Sequence, residues 1–463
     1  MSDRISRLLA SYARAVTWDR LPDETVHEVQ RRILDSIGVA VAGFDEAAPS
    51  AARTYAQGQP DPDGGTVWGT AGRSTLEAAG FANAVAVRAL DFNDTYLSKE
   101  PLHPSDMVPP LLALAERRHL SPRTFLTAVA TAYELAVTLC DAASLREHRW
   151  DHVNYVSIGV AGPAAAMLGL PVEAIEQALS IAVVPHAAMR ETRAGELSMW
   201  KGAAAAEAGR TALFAALVAE AGMTGPNRPF EGEMGFFRQL LGGEGFDERI
   251  LDPFRTHEPP RAILDTYVKR WPVEYHAQSA VDAALQLRAE LRDPSAIDRV
   301  RIDTFRAAYD IIAKDPEKWD PTTRETADHS IQYIVCAALQ DGEVTRRTFE
   351  LDRIRRSDTL ELLRERTTVE EDPQLTQGYP EGIPNRITVI TADGATHVRE
   401  VRFPLGHARN PMSDEDVVAK FRANVAERWS PERAERVADL VWSLPEEPDL
   451  APLCDALSER EDR

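Results

Sequence analysis

The sequence predicts a mainly α-helical protein, in which a large all-helical domain is followed by a smaller α+β lid domain inserted before the C-terminal helices. Apolar residues recur at helical spacing almost without interruption over residues 23–221. Strict alternation of apolar and polar residues begins only after residue 266, for example in "AIDRVRIDTF". Helical periodicity with serine caps returns after Pro411.

Four segments of the first half carry clear helix signals. "DETVHEVQRRILDSIGVAVAG" (23–43) has one apolar stripe and ends in glycine, and "SPRTFLTAVATAYELAVTLC" (121–140) opens with a Ser cap and a Pro at the first helical position. "PVEAIEQALSIAVV" (171–184) follows, and "KGAAAAEAGRTALFAALVAEAG" (201–222) is rich enough in Ala for close helix packing. We therefore expect an all-α first half.

The second part mixes strand and helix signals. "NRITVITADGATHVREVRF" (385–403) predicts two strands about an Asp393-Gly394 turn. Helical stretches at 279–291 and 329–342 separate this pair from the earlier alternating segment. We expect a helical domain over 1–265, an α+β lid domain over 266–408, and C-terminal helices over 409–463 that pack back on the helical domain.

Composition excludes several classes of partner. The chain has 463 residues, of which 73 are acidic and 52 basic, giving a formal charge of −21. Nucleic acids and anionic membranes bind basic surfaces, so neither is expected as a partner. Arg4, Arg7 and Arg14 interrupt the N-terminal apolar pattern, which argues against a signal peptide and predicts a cytoplasmic protein. The charge-free window 153–172 is broken by polar residues, glycines and prolines, and we interpret it as core rather than as a membrane span.

The cysteine pattern argues against a bound cofactor. Three cysteines, Cys140, Cys336 and Cys454, occur without a CxxC pair, so neither a disulfide framework nor a structural zinc is indicated. An iron-sulfur cluster usually takes at least part of its ligands from a closely spaced set, which this chain lacks. No glycine-rich phosphate loop occurs either. We therefore expect chemistry without a cofactor.

One loop holds an unusual density of groups that exchange protons. "ALDFNDTYLSKEPLHPSD" (89–106) contains Asp91, Asp94, Thr95 and His103 between two apolar segments. Such carboxylates can bind a divalent metal, or they can hold the histidine in one tautomer for acid-base work. The sequence leaves both interpretations open, together with the simpler one of a helix cap and a surface histidine.

Two further segments suggest a polar site. "WDHVNYVS" places His152 at the edge of the charge-free window, where a histidine is ordinarily a core or interface residue. Lys201 opens the Ala-rich helix, where the macrodipole disfavours a cation. A carboxylate ligand held by Lys201 and by the free amides of the helix N-terminus would explain this misfit, although a lysine that extends to solvent is the alternative. Arg190 and Arg193 precede it and are expected to be surface or salt-bridge residues.

The junction between the two halves supplies the last candidates. "YVKRWPVEYHAQSA" contains Lys269, Glu274 and His276, and sites often lie where two domains meet. "ETADHSIQYIV" adds His329 and Tyr333.

Taken together, these stretches resemble the MmgE/PrpD family. The matching segments are "DFNDTYLS" with "HPSD", "WDHVNYVS", "SMWKGAAAA", "KRWPVEYHAQSAVDAA", "ADHSIQY" and "GHARNPMSDEDVVAKF", in the family's order over nearly the whole chain. The chain departs from many members at Asn93 and at Gln332. The resemblance implies a helical domain with an α+β lid, a homodimer, a site in the cleft between the domains, and catalysis without metal or cofactor.

The resemblance also implies roles for single residues. His103, His152, Lys201 and Asp91 are expected to be catalytic, and Thr95, Lys269, His276 and Tyr333 to bind substrate. The two histidines are candidates for the proton-transfer pair and the two lysines for stabilising a carbanion. The expected activity is that of a hydro-lyase acting on a small anionic polycarboxylate such as 2-methylcitrate. A decarboxylase or an epimerase of a related polycarboxylate is the alternative, and a metal-dependent enzyme or a non-catalytic scaffold comes after it.

Overall fold

Helices make up 58% of the protein and strands 9% in the computed structural model, which describes residues 3–194, 197–291 and 293–458. The prediction of a mainly α protein is confirmed. The two largest clusters of buried apolar side chains divide the chain into two parts. We call the elements around the first cluster the helical body and those around the second the α+β body.

The helical body takes its elements from both ends of the chain. Its N-terminal helices are α1 (Arg4–Ala15), α2 (Asp23–Ala42), α3 (Ala47–Gln57), α4 (Leu76–Arg88), α5 (Val108–Arg117), α6 (Pro122–Ala142), α7 (Val153–Met167), α8 (Val172–Val183), α9 (Trp200–Glu220), α10 (Phe236–Leu241) and α11 (Asp252–Arg255). Its C-terminal helices are α19 (Asp414–Val425), α20 (Pro431–Trp442) and α21 (Ala451–Leu457). α19 packs on α2, where the Phe421 ring lies close to Gly38.

The first half also contains two strands, which corrects the expectation that it is all-α. β1 (Pro60–Thr66) pairs antiparallel with β2 (Arg73–Ser74). The Pro and Gly residues of β1 oppose helix formation, and the Glu116 side chain accepts hydrogen bonds from the amide and hydroxyl of Thr66 at 2.8 and 2.6 Å.

The α+β body contains a four-stranded sheet in the order β4-β3-β5-β6. Its elements are α12 (Gln278–Glu290), β3 (Ile297–Thr304), α13 (Arg306–Ile312), α14 (Arg324–Ala327), α15 (Ile331–Asp341), α16 (Leu351–Ile354), α17 (Ser357–Glu365), β4 (Thr367–Glu371), α18 (Pro373–Thr376), β5 (Asn385–Thr391) and β6 (Thr396–Val401). β3 runs parallel to β4 and antiparallel to β5. The three strands β3, β5 and β6 match the predicted ones, whereas β4 was not predicted because its short, polar sequence carries no strong pattern.

Helix caps appear where the sequence indicates them. The Ser121 hydroxyl accepts a hydrogen bond from the Thr124 amide at the start of α6. α6 is the one described helix that is long and apolar enough to cross a membrane, but 89% of its apolar window is buried inside the protein. It is a core helix, packed against α7.

Candidate active site

A cavity of about 180 Å³ lies where the two bodies meet. Asp91 and His103 line it from the helical body, and His276 and Lys318 line it from the α+β body. Among the described residues, seven Arg and Lys side chains contribute to its wall against four carboxylates, although the chain as a whole carries a charge of −21. The cavity therefore concentrates positive charge locally, as an anionic ligand requires.

A larger crevice of about 640 Å³ lies on the other side of the segment that carries Asp91. No histidine lines it in the part of the chain that the structure describes. Arg346 and Arg347 at its rim both pair with Glu427. The smaller cavity is the better candidate because it combines histidines, cations and a buried carboxylate.

The carboxylate of Asp91 is the centre of the cavity wall. Its Oδ1 accepts hydrogen bonds from Arg88 Nη1 at 2.6 Å and from Lys269 Nζ at 2.8 Å, and its Oδ2 accepts one from Lys201 Nζ at 3.1 Å. Burial opposes ionisation of this group, but the three cations outweigh burial and lower the pKa of Asp91 well below its ordinary value. Asp91 is therefore an ionised carboxylate that holds three cations together.

Two buried lysines also hold the backbone at this point. Asp91 has a φ of 50°, in the left-handed region that residues other than glycine seldom adopt. Lys269 Nζ donates to the carbonyl oxygen of Asp91 at 2.7 Å, and Lys420 Nζ donates to that of Phe92 at 2.9 Å. Lys420 itself pairs with the buried Asp35 at 2.6 Å. Two lysines from distant segments of the chain thus fix consecutive carbonyls, which stabilises the unusual backbone.

His103 presents a free nitrogen to the cavity. Its Nδ1 lies 2.8 Å from the backbone carbonyl oxygen of Asp94, which can only accept, so Nδ1 carries the proton and Nε2 keeps its lone pair. Nε2 lies 3.9 Å from Asp91 Oδ1. Burial and the charges of Arg88 and Lys269 lower the pKa of His103 well below its ordinary value. A neutral imidazole of this tautomer can accept a proton from a ligand.

His152 is the second histidine of the helical body in the cavity wall. It lies directly before α7, and its ring centroid is 5.8 Å from that of His103. Its Nδ1 is 3.2 Å from Asp151 Oδ1, and its Nε2 is 3.5 Å from Arg193 Nη2. Burial and the charge of Arg193 lower the pKa of His152 to about 3. This ring is also neutral near pH 7.

The α+β body contributes two histidines, each paired with a carboxylate. His276 Nδ1 lies 2.7 Å from Glu274 Oε1, and its Nε2 is buried without a hydrogen-bond partner among the described residues. His329 Nδ1 bonds to the Asp328 carboxylate, and its Nε2 lies 3.5 Å from Asp91 Oδ2. Burial opposes ionisation of Glu274, but His276 outweighs it and lowers the pKa of that carboxyl to about 2.

Comparison with known proteins agrees with this architecture. The MmgE/PrpD N-terminal domain matches residues 7–249, and the MmgE/PrpD C-terminal domain matches residues 271–445. The chain belongs to the MmgE/PrpD family. It is 34% identical to a 2-methylcitrate dehydratase of Cupriavidus necator over 81% of this chain and 80% of the relative.

Two further relatives differ in name from each other. A 2-methylcitrate dehydratase of Escherichia coli K12 is 31% identical over 88% of this chain and 87% of its own length. A cis-aconitate decarboxylase of Homo sapiens is 27% identical over 98% of this chain and 94% of its own length. The prediction of MmgE/PrpD membership is confirmed.

Seven of the eight residues that the MmgE/PrpD resemblance singled out line the cavity: Asp91, Thr95, His103, His152, Lys201, Lys269 and His276. Tyr333 does not. It is fully buried in the apolar cluster of the α+β body, and its hydroxyl donates to the carbonyl of Thr348. Thr95 reaches the cavity, but its hydroxyl donates to the carbonyl of Leu102 at 3.2 Å, so its proton is already used.

Lys201 lies at the predicted helix start but with a different partner. It is buried in the first turn of α9, and its ammonium contacts Asp91 rather than an empty anion site. The amides of Lys201 and Gly202 donate to Ser198 and Met199 within the turn, so they are not free for a ligand. The carboxylate of Asp91 explains why a cation is stable at this helix N-terminus.

Several polar side chains of the loop 89–106 stabilise the fold rather than line the cavity. Asp94 accepts from the Ser105 amide at 2.9 Å and from the Tyr133 hydroxyl at 2.8 Å. Asp106 accepts from Asn93 at 3.0 Å behind the cavity. Within the described residues, no three His, Cys, Asp or Glu side chains are arranged to hold a metal ion. The backbone carbonyl of Asp94 in this loop holds His103 in one tautomer.

Sequence reasoning missed several cations of the cavity. Arg88 ends the apolar helix α4 with 3% of its surface exposed, and Arg146 and Lys318 also line the wall. Arg190 and Arg193 were expected to be surface or salt-bridge residues; both line the cavity, and Arg193 forms an ion pair with Asp151. A lone arginine at the end of an apolar helix, next to an acidic loop, was the signal that could have found Arg88.

Proposed function

We propose that the protein is a cofactor-independent hydro-lyase that dehydrates a small polycarboxylate such as 2-methylcitrate. One observation carries the proposal: a neutral His103 presents Nε2 to a cavity whose cations surround the ionised Asp91. Removing a proton next to a carboxylate places negative charge on its oxygens, and preorganised cations stabilise that charge. The expectation of an enzyme of the lyase class has the support of the family and of the relatives' names.

His103 is the proposed general base. Its Nδ1 keeps its proton and donates it in a hydrogen bond to the Asp94 carbonyl, while Nε2 accepts the proton from the carbon beside the substrate carboxylate. The electron pair of the broken carbon-hydrogen bond forms the new double bond. The charges of Arg88 and Lys269 keep His103 neutral and therefore disfavour its imidazolium form. The negative charge of the bound substrate is needed to stabilise that imidazolium during the reaction.

The departing hydroxide needs a proton, and Lys269 is the proposed acid. His103 and His152 are both neutral, and the one N–H of each is directed to the Asp94 carbonyl or to the Asp151 carboxylate, so neither is available to the leaving group. Lys269 Nζ uses two of its three hydrogens on Asp91, and burial lowers its pKa, which makes it a stronger acid than an ordinary lysine. Transfer of the third proton to hydroxide releases water.

The remaining residues are proposed to bind and orient the substrate. Lys201 stabilises the carboxylate beside the reacting carbon, and Asp91 holds Lys201 and Lys269 in place. His276, whose Nε2 has no hydrogen-bond partner in the part of the chain that the structure describes, is proposed to contact the substrate from the α+β body. We propose that Thr95 shapes the cavity wall and does not donate to the substrate, because its hydroxyl already donates to the Leu102 carbonyl.

A substrate panel tests the proposal. The EDTA-treated protein is incubated with 2-methylcitrate, citrate, cis-aconitate and iminodisuccinate, and all products are followed by NMR. We expect an unsaturated product from a hydroxylated substrate, and a loss of about 100-fold or more in the His103→Asn variant. The exposed His148 provides a matched His148→Asn control that should keep full activity. Equal turnover by both variants would refute the assignment of His103.

A decarboxylase is the second candidate, favoured by the similarity to the human cis-aconitate decarboxylase over 98% of this chain. The same cations would stabilise the carbanion left when a carboxylate departs as carbon dioxide. An epimerase of a related polycarboxylate would also use this cavity. In the same panel, release of carbon dioxide would identify a decarboxylase, and isomerisation without formation of an unsaturated product would identify an epimerase.

We also propose that the α+β body acts as a lid and that two copies of the chain associate. Lys318, His276 and His329 reach the cavity from that body, so its approach would complete the site. For association, Met189, Met199 and Trp200 are 65%, 52% and 50% exposed on the helical body, and exposed apolar side chains of this kind can form an interface between two copies. Solution scattering with and without propane-1,2,3-tricarboxylate measures closure, and light scattering measures the number of copies.

A further inference from the structure

The cations of the cavity fall into two groups. Arg88, Lys201 and Lys269 each contact Asp91, and Arg193 contacts Asp151 at 3.1 Å. Their charges are compensated within the protein. Lys318, Arg146 and Arg190 form the other group, because none of their side chains forms an ion pair with a carboxylate among the described residues. Lys318 is the most deeply buried of the three, and its Nζ donates no hydrogen bond among the described residues.

Lys318 is nevertheless buried, with 7% of its surface exposed. Its backbone is held firmly: the Lys318 amide donates to the Asp315 carbonyl at 3.0 Å, and the Ser330 hydroxyl donates to the Lys318 carbonyl at 2.6 Å. Burying an ammonium without a counterion is costly, and here burial lowers the pKa of Lys318. The fold therefore positions a cation that Glu317, Asp328 and Asp315 offset only from a distance, without an ion pair among the described residues.

The nearby acids do not supply the missing counterion. Asp315 and Glu317 line the same wall, but neither forms an ion pair with Lys318, and Glu317 is exposed. Asp328 is bound to His329. The cavity side of Lys318 is thus open to an anionic group of a ligand.

We infer that Lys318 binds a carboxylate of the substrate that the cluster at Asp91 does not hold, and that it thereby selects substrates with an additional carboxylate. The inference rests on the proposed polycarboxylate substrate. The cations at Asp91 serve the carboxylate next to the reacting carbon, while Lys318 reaches the cavity from the other body. A ligand with one carboxylate fewer would leave Lys318 without a partner and would gain nothing from it.

Calorimetry on the full chain tests this inference with two probes, propane-1,2,3-tricarboxylate and glutarate. In the Lys318→Met variant we expect the Kd for the tricarboxylate to rise about tenfold or more, since a hydrogen bond between charged groups is lost, and the Kd for glutarate to change by less than about twofold. The matched control is Lys314→Met, which removes an exposed lysine on the same segment that pairs with Asp310 at 3.1 Å. It should change neither Kd.

Stability separates a binding role from a structural one. Removing a buried charge that forms no ion pair among the described residues should leave the Tm of Lys318→Met unchanged or higher, whereas loss of a structural contact would lower it. For any substrate that is turned over, KM should rise while kcat changes by only a few-fold. Equal weakening of both probes, no weakening of the tricarboxylate, or no binding of the tricarboxylate by the unaltered protein would each overturn the inference. Selective weakening without turnover of any panel substrate would support Lys318 and reject the proposed reaction.

Discussion

Lys269 Nζ lies 2.7 Å from the carbonyl oxygen of Asp91 and 2.8 Å from its Oδ1. One ammonium therefore fixes both the backbone and the side chain of a residue whose φ is 50°. The same ammonium lies in the segment that leads into the α+β body. Lys269 thus supports the backbone conformation of Asp91, balances its charge and links it to the junction of the two bodies.

Asp91→Asn tests the role of the central carboxylate. Without its charge, Lys201 and Lys269 lose the group that positions them, and we expect kcat to fall about 100-fold or more. Because the cavity then gains net positive charge, the Kd for propane-1,2,3-tricarboxylate should fall rather than rise. The control is Asp45→Asn, which removes an exposed carboxylate that pairs with Arg428. Weaker anion binding in Asp91→Asn would show that the residue binds substrate instead.

The pH dependence of kcat/KM should reflect the lowered pKa of His103. Burial and two neighbouring cations keep this ring neutral well below the ordinary histidine value of about 6.5. A base must be deprotonated in the free enzyme, so kcat/KM should stay level as the pH falls to about 6.5 and should decrease only below it. A decrease that begins above about pH 7 would contradict the assignment of His103 as the base.

The buried Asp106 should make the protein less stable as the pH rises from about 4 to about 7. Burial raises the pKa of Asp106 to about 7, so the folded state holds a proton that the unfolded state releases above about pH 4. Its contribution is therefore present at low pH and is lost as the pH rises through about 7, by about 1 kcal/mol between pH 6 and pH 8. Asp106→Asn should flatten that part of the profile of the free energy of unfolding, measured by urea denaturation. An Asp61→Asn control, at an exposed carboxylate, should leave the profile unchanged.

Substitutions of the buried ion pair Lys420 and Asp35 should have coupled effects on the free energy of unfolding. Lys420→Met leaves Asp35 uncompensated and should lower the free energy of unfolding by about 3 kcal/mol. Replacing both residues with apolar ones removes the charge and should recover part of that loss. Since Lys420 also holds the Phe92 carbonyl, activity should stay low in the double variant. Full recovery of activity together with stability would show that Lys420 does not act through the Asp91 segment.

Much of the helical architecture could be predicted from the sequence because helix periodicity and caps are local. α2, α6, α12 and α15 lie where the apolar spacing and the Ser or Gly signals place them. β1 and β4 could not be predicted, since Thr66 and Thr367 are held by partners far away in the chain, Glu116 and β3. The domain boundaries at 265 and 408 remain a prediction.

The sequence by itself determined which groups are available and approximately where they converge: carboxylates and a histidine in one loop, and lysines at a helix start and at the domain junction. Only the tertiary structure decided what each of them does. Asp91 and Asp106 are the same residue type in the same loop, yet three cations lower the pKa of one, and burial raises that of the other. Likewise, the sequence suggested that Tyr333 binds substrate, whereas in the folded protein its hydroxyl donates to the Thr348 carbonyl. The reason is physical: protonation and hydrogen bonding depend on distances through space and on burial, which only the folded chain defines.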